Sequence, residues 1–468
     1  MKEQKPIKNQ APNEGNLNKP YIQCINTTCG ARFPITDKLI RCPKCSDLLD
    51  VVCDLDKLDP DRMKMVFRQR RSSLSPLDIS GVWRYREFLP FSGEDLDYVV
   101  TLGEGNSPLL DAPKSAGYAG LKNLKIKHLG WNPSGSFKDH GMTVAVSQAR
   151  KLGSKIVACA STGNTSASMA AYCARCGIKP VVFIPDGQIA YGKLSQSLDY
   201  GATTVQIQGD FDVAMQLVQD LSEESEIYLM NSINPFRLEG QKTVIIDILD
   251  QLDWKVPDRI IVPGGNLGNS SSYGKALIEL KETGFIDKVP MISIIQAAGA
   301  SPLYRTLVSS ASELLPTKDA FTLASAIKIG RPISWKKALR TLQFTDGWCD
   351  VATEQEIADA KAMLGRDGIG CEPASATTVA GLRKLRDLQT AGRAEITIDP
   401  DEDVVAILTG HQLKDPEYTM NYHQDNLYEH AVYDSVLVEK SGKLHASFSN
   451  QPVQIKADKD EILKLLGL

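Results

Sequence analysis

The sequence predicts an α/β fold built on parallel sheets, and three observations carry that prediction. Short apolar runs recur without polar alternation: Ile156-Val157-Ala158-Cys159-Ala160, Val181-Val182-Phe183-Ile184-Pro185, Arg259-Ile260-Ile261-Val262-Pro263, Met291-Ile292-Ser293-Ile294-Ile295 and Val404-Val405-Ala406-Ile407-Leu408. Helical stretches separate them, among them Met142 to Leu152, Ser166 to Gly177 and Tyr191 to Tyr200, the last followed by a strand at Thr203 to Ile207. Several of the runs end in loops rich in Gly, Ser, Thr and Asn. Strands covered on both faces read as continuous apolar runs, and the helices between them are the crossovers a parallel sheet requires. Ligands in such folds bind at the carboxyl ends of the strands.

Length and composition set the outer bounds. A chain of 468 residues holds about two or three structural units. The 53 Lys and Arg against 57 Asp and Glu give a net charge of −4, so no bulk positive charge points to nucleic acid or an anionic membrane. No apolar run approaches the roughly 20 residues that span a bilayer. Residues 1–20 are polar, without the apolar stretch of an export signal, and are expected to form a disordered tail. The chain is accordingly read as cytoplasmic, with reduced thiols.

Five of the ten cysteines fall between Cys24 and Cys53. In a reducing compartment that clustering favours a metal over disulfides. Cys24 and Cys29, then Cys42 and Cys45, supply two knuckles a dozen residues apart, which suits tetrahedral zinc. Residues 21–55 are therefore expected to form a zinc ribbon with short strands at Ala31 to Ile35 and Leu39-Ile40. Its expected role is a structural cap, and Cys53 lies outside the ligand spacing. The basic stretch Arg68 to Arg71 reads as a solvated helix face.

Four loops carry the chemistry. Asn132 to Gly141 places Lys138 just before a helix, where the dipole disfavours a cation. A neutral imine or an anionic ligand would remove that conflict; a solvated surface lysine is the bland alternative. Ala160 to Ser168 gathers hydroxyls and backbone amides, with Asn164 and Thr165 at a strand-to-helix turn that can hold an oxyanion or serve only as an N-cap. Gly264-Gly265-Asn266-Leu267-Gly268 follows a strand and can wrap a phosphate with its backbone amides. It lacks both the Walker A lysine and the Rossmann glycine spacing. Leu408 to Pro416 ends a strand with Thr409 directed towards the other loops, and its His411 is read as structural. A Schiff-base lysine, a phosphate cup and a hydroxyl together meet the needs of pyridoxal phosphate. Nucleophile-elbow, zincin and kinase signatures are absent.

From about Trp83 to Pro416 the chain resembles threonine synthases, which are fold-type II (tryptophan synthase β-like) pyridoxal-phosphate enzymes. The matching stretches are Leu102 to Gly105, Ser134 to Gly141, Asn231-Ser232-Ile233-Asn234-Pro235-Phe236-Arg237-Leu238-Glu239-Gly240-Gln241-Lys242-Thr243, Glu372 to Ala376 and Gly410 to Pro416. The resemblance implies two parallel-sheet αβα subdomains within a catalytic domain at 56–430. A mobile small subdomain would cover about 142–230, and a terminal hairpin around Ser441-Gly442-Lys443 with a short helix would occupy 431–468. It implies that Lys138 carries the cofactor and removes the substrate α proton, that Asn164 meets the cofactor's phenolic oxygen, and that Gly264, Gly265, Asn266, Leu267 and Gly268 hold its phosphate. Thr409 would face the ring nitrogen, where a neutral hydroxyl stabilises a pyridinium less than a carboxylate does. The implied substrate is O-phosphohomoserine, its phosphate met by Thr165, Ser232 and Arg237, the last as a bidentate partner. A homodimer is the family habit. Two departures stand out: His140 sits where Arg is frequent, and Gln412 where Gly is usual. The alternative within the same cofactor class is a cysteate synthase using O-phosphoserine and sulfite.

Overall fold

Among the described residues, three sheets organise the chain. The computed structural model describes residues 20–161, 163–185, 191–208, 217–222, 226–394, 396–427 and 444–468. The expected tail (residue 20 apart) and the centre of the expected terminal hairpin lie outside them.

At the amino end β1 (Tyr21–Cys24) sits between antiparallel β2 (Arg32–Pro34) and β3 (Leu49–Val52). The strand expected at Leu39-Ile40 does not form. Those residues bend into the turn bearing Cys42 and Cys45. The third strand is β3 instead, where Leu49 and Val51 bury one face while Asp50 and Val52 stay half-buried. That alternation belongs to a strand lying on a core.

The large sheet runs β12 (Trp348–Ala352), β11 (Met291–Ala297), β10 (Arg259–Pro263), β13 (Asp403–Leu408), β5 (Asn123–His128), β4 (Leu109–Asp111). Every pairing is parallel except that of edge strand β4 with β5. The smaller sheet, fully parallel, runs β8 (Thr203–Ile207), β7 (Lys179–Pro185), β6 (Ile156–Ala160), β9 (Tyr228–Leu229). All six strands predicted for these sheets form. Strand β5 escaped prediction because Lys125 and Lys127 give it a half-solvated pattern. Lys127 is in fact fully buried, paired with Asp247 and donating to the Ser107 carbonyl.

The helices that matter here are α1 (Pro60–Arg70), α2 (Lys138–Lys151), α3 (Asn164–Cys176), α4 (Tyr191–Asp199), α5 (Pro235–Gln251), α6 (Gly268–Glu282), α7 (Trp335–Phe344), α8 (Pro373–Thr390) and α9 (Lys459–Leu466). Pro235 opens α5 at a position whose N–H needs no partner, and the Asn234 side chain caps it by accepting from Phe236 N at 3.0 Å. Helix α2 starts at Lys138, four residues before the predicted Met142. Arg68 to Arg71 is only partly a solvated face. Arg68 is exposed beside Asp253, but Arg70 lies against Asp78 and Glu87, and Arg71 against Asp250.

The ribbon is seated on the larger unit through charge. Lys337, on α7, donates to Leu49 O at 2.7 Å, and Lys337 and Arg340 both pair with Asp50. Against the cost of its burial, those cations and Lys275 hold the Asp50 carboxyl well below the ordinary carboxylate range. Lys275, on α6, donates to Val51 O and pairs with Glu239 of α5. Lys242 pairs with Glu239 and Glu279 at 2.7 Å each.

Helices α2 and α5 cross at the closest backbone approach near the site. A Cβ on Gly240 would stand 1.8 Å from the His140 carbonyl oxygen, and one on Gly141 would stand 2.8 Å from that of Arg237. Gly240→Ala is therefore expected to destabilise the protein by about 1–3 kcal/mol, the usual cost of overpacking. A urea midpoint equal to that of the wild type would contradict this packing.

Candidate active site

The carboxyl ends of both parallel sheets face one cavity of about 1050 Å³. The amino ends of α2, α3 and α6 also open on it, at Lys138, Asn164 and Gly268. Three helix amino ends around one space create positive potential for anions.

The Lys138 loop is built by local hydrogen bonds. Asp139 accepts from Ser134 N at 2.7 Å, from Ser134 Oγ at 2.6 Å and from Ser168 Oγ at 2.5 Å. Phe137 N donates to Thr409 O, and His411 N donates to Gly135 O. The loop is thus stitched to the end of β13, which sets Lys138 opposite Thr409. Burial pushes the Asp139 carboxyl up to about 6 despite its donors. Lys138 keeps contact with the cavity and is otherwise enclosed. Burial, and then the Arg237 charge, lower its pKa to about 7, with Glu372 pulling the other way.

On the opposite wall, Leu267 takes a left-handed conformation (φ 64°) that turns the glycine loop into α6. Asn266 Nδ2 donates to Ser232 Oγ at 2.6 Å, and its Oδ1 accepts from Ile333 N. Asn231 extends the small sheet with its side chain, exchanging two 3.0 Å bonds with the backbone of Ala160.

Lys138, Asn164, Thr165, Ser232, Gly265, Asn266, Leu267, Gly268 and Thr409 all line the cavity. Gly264 and Arg237 do not. Gly264 lies behind the loop, its Cβ position filled by Ile294 and Gln296. Arg237 is fully buried beneath the wall; Nη1 donates to Met230 O at 3.0 Å, while Nε and Nη2 have no hydrogen-bond partner. Burial brings its pKa down to about 10. Sequence reasoning missed Gln241, whose buried Oε1 is unpartnered, and Lys414, which bonds Gln196 of α4 across the mouth. It also missed Glu372, although the motif containing it was visible. Of the two departures, Gln412 packs over Gly370, and His140 is buried with both ring nitrogens unpartnered and its pKa lowered by burial to about 4.

In the amino-terminal ribbon the sulfurs of Cys24, Cys29, Cys42 and Cys45 lie within 4.8 Å of one another. Four thiols so converged fit a closed zinc site. Cys53 is apart, its sulfur 3.8 Å from Glu239.

The enclosed lysine, the glycine turn at a helix amino end, and the orphaned donors of Arg237 fit pyridoxal phosphate with an anionic substrate. The family described as pyridoxal-phosphate dependent enzyme matches residues 100–410. The chain is 44% identical to the threonine synthase of Methanocaldococcus jannaschii, covering 84% of this chain and 93% of that one. It is 42% identical to the threonine synthase of Methanosarcina acetivorans, over 90% and 99% of the two chains. Among solved structures, Escherichia coli threonine synthase superposes with a TM-score of 0.64 over 96% of this chain and 99% of that one, at 17% identity, a likeness of fold. The chain therefore belongs to the pyridoxal-phosphate dependent enzymes and, within them, to the threonine synthases. Among the described residues, no helix is long and apolar enough to cross a membrane.

Two measurements check these sites. The neutral amine of Lys138 is present above about pH 7. The rate at which apoprotein takes up pyridoxal phosphate should rise through that pH and level off, whereas an ordinary lysine would keep gaining towards its usual value of 10.5. Elemental analysis should find zinc in the wild type and not in Cys42→Ser. Wild-type protein without zinc would refute the metal site.

Proposed function

We propose that the chain converts O-phospho-L-homoserine and water to L-threonine and phosphate. The observation that carries this reading is the pairing of an enclosed lysine held near neutrality with a buried guanidinium that offers two unused donors beside the same cavity. A substrate with both an amino-acid head and a phosphate tail uses both. The names of the most similar curated relatives support the same reaction.

Pyridoxal phosphate, when bound to Lys138, withdraws electron density from the amino acid's α and β carbons. The amides of the loop from Gly265 to Gly268, at the start of α6, cradle the cofactor phosphate, while the Gly264 N–H is spent on Ile295 O. Asn164 addresses the phenolic oxygen and Thr409 the ring nitrogen. The Lys138 amine takes the proton from the α carbon and holds it. Thr165, Ser232 and Arg237 receive the substrate phosphate. For Arg237 this requires the guanidinium to turn from the Met230 carbonyl into the cavity. A β proton follows, the C–O bond at the γ carbon breaks with the phosphate keeping the bonding electrons, and Arg237 stabilises that charge. A proton then returns to the γ carbon, water adds its hydroxyl at the β carbon and gives up its other proton, and Lys138 returns a proton to the α carbon. A reducing, cytoplasmic setting remains the reading of the sequence, and the expected homodimer rests on the family resemblance and is checked by light scattering.

The decisive assay follows phosphate release and products from O-phosphohomoserine alone and from O-phosphoserine with sulfite. Threonine from the first is expected, and Lys138→Ala should lower its rate by at least about a hundredfold, the usual worth of one positioned acid–base group. Cysteate from the second, without threonine from the first, overturns the substrate and leaves the cofactor reading in place.

A further inference from the structure

Glu372 has no part in the chemistry above, yet it touches two of its residues. It is 2% exposed, at the amino end of α8, on the cavity wall. Its Oε2 accepts from Asn164 Nδ2 at 2.9 Å, and its Oε1 accepts from Thr409 Oγ1 at 2.9 Å. The backbone clamps it there, because Glu372 N donates to Gly410 O, and a Cβ on Gly410 would fall within 2.6 Å of the carboxylate.

We propose that Glu372 is a positioning residue for the cofactor: from behind, its carboxylate fixes the Asn164 amide as a donor and the Thr409 hydroxyl as an acceptor along one edge of the ring. This rests on the assignment of Asn164 and Thr409 to the phenolic oxygen and the ring nitrogen. Those two atoms lie on the same edge of pyridoxal, the carbon bearing the phenolic oxygen being separated from the nitrogen only by the methyl-bearing carbon, so one carboxylate can brace both contacts.

The hydrogen-bond accounting fixes the polarity. A primary amide has two N–H donors; Asn164 spends one on Glu372 and keeps the second for the cavity. The single Thr409 proton goes to Glu372. Ser375 Oγ accepts from the backbone N–H groups of Thr409 and Gly410 at 2.8 and 3.1 Å, and stands 3.1 Å from Thr409 Oγ1. Its own proton is therefore free for Thr409. The hydroxyl, with its proton committed and one lone pair filled, has a single acceptor position left. A ring nitrogen meeting it must bring a proton. The Ser375–Thr409–Glu372 chain thus places a carboxylate one hydroxyl away from the ring nitrogen and holds that nitrogen as pyridinium. Burial raises the Glu372 pKa above the ordinary glutamate value and the Asp415 charge adds to that, while the donors Asn164 and Thr409 and the Lys414 charge pull towards the anion. This alters the expectation from sequence, in which Thr409 alone was a neutral hydroxyl and a weak partner for pyridinium.

The test is the nitrogen-15 NMR signal of ring-labelled pyridoxal phosphate in the holoenzyme, read beside the cofactor's dissociation constant. The wild type should give the upfield, protonated signal. In Glu372→Gln an amide can donate to Thr409, which then turns its proton to the nitrogen, so the signal should move downfield to the bare-nitrogen position and cofactor binding should weaken. Glu372→Asp, a second and smaller change, should retain the protonated signal in part. A bare nitrogen in the wild type, or a protonated one in Glu372→Gln, overturns the proposal. Thr409→Val separates the two layers of the argument. If it leaves both the signal and the dissociation constant unchanged, Thr409 does not meet the nitrogen and the underlying assignment has failed.

Discussion

Two cations enclosed near one cavity, with no carboxylate at ion-pair distance among the described residues, are the constraint around which the site is arranged. Removing a charge from water costs several kcal/mol unless a partner repays it. Elsewhere this fold supplies the partner: Lys127 has Asp247, Lys242 has Glu239 and Glu279, and Lys337 has Asp50. Lys138 and Arg237 are left without one. Lys138 answers by a lowered pKa, and Arg237 remains charged with two donors idle. Both conditions are met by phosphate-bearing ligands, and both are costly without them.

The neutralised lysines hold the uncompensated ones in place. Glu239 lies two residues past Arg237 on α5 and binds Lys275 on α6, the helix that begins at the glycine loop. The same Lys275 donates to the carbonyl of Val51 in the ribbon. One buried network therefore joins the helix carrying Arg237, the helix that begins at the glycine loop, and the strand that follows the four cysteines. Breaking a buried pair by removing one partner costs about 3–5 kcal/mol, so the ribbon is seated on α5 and α6 through charges that are costly to separate.

Much of this was legible in the sequence, and the failures have physical causes. The five apolar strands were readable because a parallel sheet buries both faces and leaves no polar alternation, whereas β8, the sixth predicted strand, is a half-exposed edge strand. Strand β5 was not, because Lys127 is a buried ion-pair member that looks solvated in sequence. The ribbon's third strand was misplaced because Leu39 and Ile40 are apolar for a turn against the core, whereas Leu49 and Val51 carry the sheet. The loops bearing Lys138, Asn164, the glycines and Thr409 could be singled out by composition, since helix amino ends and tight turns demand those residue types. Arg237 was found through its motif, but its burial beneath the wall was not foreseeable. Glu372 was overlooked for a related reason: a carboxylate that acts through two other side chains has no local signature, and only the fold brings residues 164, 372 and 409 together.

The central claim, that Arg237 is kept uncompensated for an anion, is tested most directly by the thermal stability of ligand-free protein titrated with inorganic phosphate, comparing the wild type with Arg237→Met. A buried cation replaced by an apolar side chain of similar length should leave the ligand-free protein no less stable, since the desolvation cost goes with the charge. The gain in melting temperature that phosphate gives the wild type should shrink or vanish in the variant. A variant that melts well below the wild type, yet gains as much from phosphate, would contradict the account.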